Sequence, residues 1–340
     1  MIFKKLFVAL YVIKLFAGAD DFNLSTMQPY HSITQTQSQP LKRLSSDSVK
    51  IAYFIMIHDQ PEKFMKLFHK IYSRDQFYLI HIDRKAKPEI TEEIQLFLVQ
   101  FPNAYILESM NIISGGFSMI QAELDAMEFL LNVSTEWDYF INLSGEDYPL
   151  KSQTIIREFL AARRGKNYLF YYDQKFYRPD TLQRIQNHFT ELAHRISSLI
   201  YKREFMKGVV PYIGGKWVIF TRDTCAFLSN NKKVMEFEEY YLNTLLPGDS
   251  FFQTVLMNTS FHDIIVNDDK RAVLEKRYCT KEDPELFIEY LKANNQLFIR
   301  KLDDKTDENI IRYIDDSYDL PLTDINEVER ELRAGGWQSN

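Results

Sequence analysis

Three short polar clusters carry the residues of this chain best suited to chemistry. His58-Asp59 and Asp83-Arg84-Lys85 follow directly on apolar runs, and Glu146-Asp147 follows one after Ser144-Gly145. Carboxylates and imidazoles at such points can accept a proton, bind a sugar hydroxyl or hold a divalent cation. The lysine and arginine beside Asp83 could instead meet phosphate through charge-assisted hydrogen bonds. The Asp-x-Asp spacing that many sugar-nucleotide enzymes use for a metal is missing from these strand ends. Its nearest imitations are the adjacent pairs Glu146-Asp147 and Asp268-Asp269. If no metal is bound, a departing diphosphate needs lysine or arginine to stabilise its charge.

The elements that must position these clusters alternate. Val49 to Ile57 is β-branched and aromatic and reads as a buried strand. Pro61 then opens a helix, with Phe64, Leu67, Phe68 and Ile71 at helical spacing. Gln76 to Ile82, Ala104 to Glu108 and Tyr139 to Leu143 read as further strands. Ile90 to Leu98 and Met119 to Leu131 read as helices, and so does the segment from a Ser152 cap to Ala162. This order predicts an α/β fold with a mostly parallel sheet and helices on both faces. Ligands then gather beyond the carboxyl ends of the strands, where the three clusters lie. The second half is less regular. Tyr168 to Tyr172, Trp217 to Phe220 and Ile264 to Val266 are expected as strands, and Leu297 to Lys301 follows the last helix. Thr221 to Leu228, Phe251 to Met257 and Pro284 to Ala293 are expected as helices.

Composition narrows the function. Among 340 residues, 41 Lys+Arg against 47 Asp+Glu leave a net charge of −6, which argues against a general nucleic-acid binder. Two cysteines, Cys225 and Cys279, exclude a disulfide scaffold and a four-thiolate zinc site. No G-x-x-x-x-G-K-[ST] loop, G-x-G-x-x-G turn or G-x-S-x-G elbow occurs. Residues 1–19 have basic, apolar and small-residue regions in the order of a secretory signal, or of an uncleaved membrane anchor. Either would place the body in the secretory-pathway lumen or at a Golgi membrane in a eukaryote, and outside the cytoplasm or at a membrane otherwise. Residues 20–47 are polar, without apolar period, and read as a disordered stem. The folded body is expected over residues 48–310, with a C-terminal extension over 311–340. Asn23, Asn132, Asn142 and Asn258 begin N-x-[ST] sequons; Asn142 lies inside a strand pattern, where chance explains the match.

Four stretches in order resemble one family. Ile51 to His58 with Phe77 to Lys85 is the first, and Ser114 to Met119 with Trp137 to Ser152 the second. Leu246 to Leu256 is the third and Leu297 to Asp303 the fourth. Together they resemble the core-2/I-branching β-1,6-N-acetylglucosaminyltransferase and peptide O-xylosyltransferase family, glycosyltransferase family 14. The most specific string is Asn142-Leu-Ser-Gly-Glu-Asp-Tyr-Pro-Leu-Lys151.

The resemblance implies a GT-A-like, Rossmann-related fold. It implies inverting transfer of xylose or N-acetylglucosamine from a UDP-sugar to a glycan or protein hydroxyl, without a metal or other cofactor. It assigns the general base to Asp249, in Pro247-Gly248-Asp249, where the family has glutamate. Alternatively Asp249 caps the helix that follows. It gives the diphosphate to Lys301 and to Arg277, with Lys276 as an alternate. Asp83 is expected near uridine, with His58 and His81 flanking the same edge. Gly115 and Gly116 permit close approach of the donor, or form a plain turn. Glu146 or Asp147 is expected to bind acceptor or sugar hydroxyls, or to brace the loop. Trp217 is an acceptor platform or a core tryptophan. The family's Asn-Leu-Arg-Tyr-x-x-Trp string is reduced here to Asn267-Asp-Asp-Lys-Arg271, without its aromatic residues. The shortened acid and the lost string leave a second reading open, a non-catalytic sugar-nucleotide or glycan binder of the same fold. A metal-dependent transferase using Glu146 and Asp147 is a third.

Overall fold

The structure is a computed structural model that describes residues 49–192, 195–273, 287–288, 291, 295–302, 307–320 and 322. The leader and stem expected before residue 48 lie outside these residues, as do Lys276 and Arg277. So does most of the helix expected over Pro284 to Ala293.

The first half is built as the alternation predicts. Strands β1 (Ile51–Ile57), β2 (Phe77–Ile82) and β3 (Ala104–Leu107) alternate with helices α1 (Pro61–Ile71) and α2 (Pro88–Leu98). Helix α3 (Ser118–Val133) leads into β4 (Tyr139–Ser144), and the short β5 (Tyr148–Pro149) leads into α4 (Gln153–Ala162). Strands β6 (Asn167–Asp173), β9 (Tyr212–Thr221) and β10 (Ile265–Val266) complete a seven-stranded sheet, ordered β10-β6-β9-β4-β1-β2-β3. Only β9 is reversed, running antiparallel to both β4 and β6; every other neighbouring pair is parallel.

Burial on both faces explains why β1 reads as a continuous apolar run rather than an alternating one. Ile51, Ala52, Tyr53, Phe54 and Ile55 are all fully buried. Helix α1 covers one face with Phe64, Leu67, Phe68 and Ile71, at the spacing read from the sequence. Ser152 stands at the N-cap of α4, yet its side chain makes no capping hydrogen bond.

The register sets the site. Ile57 pairs with Ile82, and Met56 with Ser144, so three parallel strands end level with one another. Backbone bonds continue past the ends: Asp83 N–H donates to Ile57 at 2.8 Å, and Gly145 N–H to Met56 at 2.9 Å. His58, Asp83 and Glu146 therefore emerge along one edge.

A second sheet brings distant basic residues to that edge. Strand β12 (Phe298–Arg300) pairs with β11 (Arg271–Val273) in parallel and with β5 in antiparallel register. Because β5 starts one residue after Asp147, this pairing carries Arg300 and Lys301 back to Glu146. The remaining elements are α5 (Gln174–Tyr177), α6 (Gln183–Gln186) and a hairpin of β7 (Asn187–Glu191) and β8 (Ile196–Lys202). Helices α7 (Arg222–Asn230), α8 (Lys232–Tyr241), α9 (Phe251–Met257) and α10 (Glu308–Asp316) follow.

The boundary expected at residue 310 falls inside α10. Ile310 and Ile314 of this helix are buried with Leu150, Ile299 and Leu302. Lys151 Nζ donates to the carbonyls of Ser317 and Leu320, and Tyr318 Oη to that of Lys70. The folded body thus continues through Leu320. An isoleucine pair four residues apart must bury its helix face against another element, and the second core supplies it.

Candidate functional site

Asp249 ends a single 3-10 turn, Pro247–Asp249, entered through Leu246 in the left-handed region (φ 51°, ψ 50°). The turn is fastened to α3's approach, where Leu246 N–H donates to Gly115 at 2.8 Å. The residue at the N-cap of α9 is Ser250, and no side chain caps that helix. Asp249 instead accepts from Arg184 Nη1 at 3.1 Å. Burial pushes its carboxyl above the ordinary aspartate range, and the charges of Arg184, Lys216 and Arg178 pull it back only in part. It is a half-buried carboxylate with a raised proton affinity, open to solvent on one side.

Lys216 links this acid to the basic edge. It lies on β9, half-buried, with its ammonium 4.9 Å from the Trp217 ring. Burial lowers its pKa, and nearby Arg300 lowers it further, against the pull of Glu123, Asp147 and Asp249. Arg300 in turn lies 5.3 Å from Trp217, and its Nη2 donates to Glu146 at 3.0 Å. Lys301 pairs with the other oxygen of Glu146 while half of its own side chain stays exposed. Asp249 and Arg300 thus both act on the charge of Lys216, and Arg300 and Lys301 both pair with Glu146.

Trp217 is 6% exposed and packed among cations: Arg271 at 4.9 Å adds to Lys216 and Arg300. Its ring orders these cations from within and is not an open platform. Arg271 is wholly enclosed between Trp217 and Phe298, donating to the Asn142 carbonyl at 2.7 Å. It stands 3.9 Å from Asp147, whose other oxygen accepts from the Ser144 N–H and hydroxyl. Asp147 therefore braces the loop. Glu146 faces the cations; burial pushes its pKa up, but the bond and charge of Lys301, with Arg300 and His58, outweigh this and hold it low.

Asp83 is largely buried and accepts from the Lys85 N–H at 2.9 Å. His58 is exposed and lies 3.4 Å from Asp59. His81 accepts from the Met110 N–H at 2.9 Å, and burial lowers its pKa to about 4, so it is a neutral structural imidazole. The close approach expected at the glycines is made by this chain itself. Gly115 takes φ 80°, and a Cβ on Gly116 would lie 2.1 Å from Glu191 Oε2. That carboxylate accepts from the Ser118 N–H at 3.0 Å, at the start of α3. Among the described residues, no group of three or more His, Cys, Asp or Glu side chains is placed to hold a metal ion.

Sequence reading missed Arg184, Lys216 and Arg271. Nothing local marks Arg184, which meets Asp249 across 65 positions. Lys216 and Arg271 both lie outside the strands expected from the sequence, although the structure places them on β9 and β11. It also missed Glu123, fully buried on α3, whose carboxylate accepts from Asn142 Nδ2 at 2.7 Å. Asn142 also donates to the Lys216 carbonyl and accepts from the Val218 N–H. With all three polar bonds spent in the interior, the sequon at Asn142 is closed to modification.

Similarity to known proteins agrees with the residue pattern. Xylosyltransferase of Ciona intestinalis is 26% identical over 291 residues, 78% of this chain and 34% of that protein. Xylosyltransferase 1 of Rattus norvegicus is 29% identical over 70% of this chain and 29% of its own length. Xylosyltransferase 2 of Canis lupus familiaris is 30% identical over 66% of this chain and 26% of its own. The chain thus spans about a third or less of these relatives. The glycosyltransferase GlyE of Streptococcus pneumoniae TIGR4, in its apo-form crystal structure, aligns at TM-score 0.37 and 13% identity over 84% of this chain and 63% of that one. The Core-2/I-Branching enzyme model matches residues 51–294, most of the body just described, and the chain belongs to that family of glycosyltransferases.

Proposed function

We propose that the protein transfers xylose or N-acetylglucosamine from a UDP-sugar to a hydroxyl of a glycan or protein, with inversion. Asp249 takes the proton of the attacking hydroxyl. The new bond forms at the anomeric carbon as the bond to the diphosphate breaks, and the electron pair leaves with UDP. Lys301 meets the departing charge, with Arg277 as its expected second cation. Lys301 is half-exposed beside Glu146, so an incoming phosphate competes with that carboxylate for it. Asp83 and His58 stand on the expected nucleotide side.

The observation that carries this reading is the set of interactions from Asp249 through Lys216 and Arg300 to Lys301. It joins a carboxyl of raised proton affinity, through the charge of Lys216, to a half-exposed cation. Xylose is the favoured donor sugar, since the relatives above are xylosyltransferases. Transfer needs no metal in this reading: Glu146 is committed to Arg300 and Lys301, and Asp147 to Ser144.

The test is UDP release from UDP-xylose and UDP-N-acetylglucosamine against a panel of glycan and peptide acceptors, with and without EDTA. Turnover of one donor, insensitive to EDTA, is expected. UDP binding without turnover of either donor would favour the non-catalytic reading, and loss of turnover in EDTA the metal-dependent one.

A further inference from the structure

Strand β6 ends in Phe170-Tyr-Tyr-Asp173, and α5 adds Phe176 and Tyr177. Phe176 is 78% exposed, Tyr177 62% and Tyr172 40%. Their rings form a continuous chain: Phe176–Tyr177 at 5.3 Å, Tyr172–Tyr177 at 5.5 Å and Phe170–Tyr172 at 4.8 Å between centroids. The turn that presents them is fixed. Asp173 accepts from the N–H groups of Lys175 and Phe176, at 2.9 and 3.1 Å. Gln174 is buried, its N–H donating to Pro211 at 2.9 Å and its side chain to Thr181 Oγ1 at 3.1 Å. Leaving large aromatic rings in water forgoes the free energy of burying them. Large contiguous exposed apolar patches mark binding sites.

The segment that carries these rings leads into the candidate site. Arg178 follows Tyr177 directly and acts on the charge of Asp249. Six residues further on, Arg184 hydrogen-bonds that acid, and its carbonyl accepts from the Leu245 N–H at 3.1 Å, four residues before Asp249.

We propose that Tyr172, Phe176 and Tyr177 form a stacking shelf for the distal units of a saccharide acceptor whose reacting end lies at Asp249. A pyranose ring offers a face of polarised C–H groups to the negative face of an aromatic ring. It also needs polar partners at its edges, and Lys175, Arg178 and Asp180 stand in the same segment as these rings. The proposal rests on the transfer reading for the position of the acceptor's end, and not for the shelf itself.

The experiment is calorimetry of the full chain with xylo-oligosaccharides and N-acetyl-chito-oligosaccharides of increasing length. Wild type is compared with a Phe176→Ala/Tyr177→Ala double variant, with Phe176→Trp and with Phe176→Leu, each checked for folding by circular dichroism. Wild-type affinity for at least one series is expected to rise with length. The double variant is expected to lose that rise, at least about tenfold for the longest member, the equivalent of one lost stacking contact. Tryptophan is expected to preserve it, and leucine to lose part of it. Length dependence unchanged in the double variant, leucine as good as phenylalanine, or no oligosaccharide binding by wild type would overturn the shelf. UDP release in parallel separates the two readings: turnover with an idle shelf leaves the base assignment standing, and length-dependent binding without turnover leaves the shelf standing.

Discussion

Burial and charge pull Asp249 in opposite directions, and the balance yields a testable pH dependence. A base works when deprotonated, so activity falls as pH drops through its pKa. Burial raises that pKa and Arg184 lowers it. Replacing Arg184 by Gln should therefore lift it further and move the acid limb of the rate profile to higher pH; a limb that stays put would remove Arg184 from the site. Glu123 offers a second test, this time on stability. Burial raises its pKa to about 7, against the opposing pull of the Asn142 hydrogen bond and Lys216. A native pKa above the unfolded value means that the folded state holds the proton more tightly. The contribution is full below about pH 4.5 and is lost as pH rises through 7, on the order of 3 kcal/mol in all. Glu123→Gln keeps an acceptor for Asn142 and should flatten the fall in stability between these limits in thermal unfolding at pH 5 and pH 8.

At the scale of elements, the strands leading to the edge were legible because buried parallel strands are near-continuous apolar runs, as Ile51–Ile57 is and as Phe77–Ile82 is apart from His81. Strand β9 was read as starting at Trp217, whereas it starts at Tyr212. Gly214 and Gly215 disguised it. A Cβ on Gly214 would lie 1.8 Å from the Phe170 carbonyl oxygen, at the irregularity between β6 and β9. Gly214→Ala must push two backbones apart, and the expected outcome is a marked loss of melting temperature together with displacement of Lys216 and Trp217; a wild-type melt would contradict this. Helix α10 was cut by a boundary that ignored its Ile310–Ile314 pair. Ile314→Ala should cost about 2–5 kcal/mol, read by denaturant unfolding. A cost near zero would mean that the helix packs only loosely.

Across the whole molecule, topology explains what the sequence could not reveal. Glu146 meets Arg300 across 154 positions, because an antiparallel pairing of β12 with β5 closes that distance. No local spacing announces such a pair; only the family resemblance pointed to Lys301. The basic edge therefore depends on the body as a unit, from β1 through the second core to α10. The proposed transfer requires a carboxylate at Asp249 that takes a proton and cations near Lys301 that receive UDP. The direct measurement compares Asp249→Asn with wild type in UDP release from the preferred donor, alongside UDP affinity. A fall of about 10²–10⁴-fold in turnover with UDP affinity unchanged is expected. Full turnover by Asp249→Asn would contradict it.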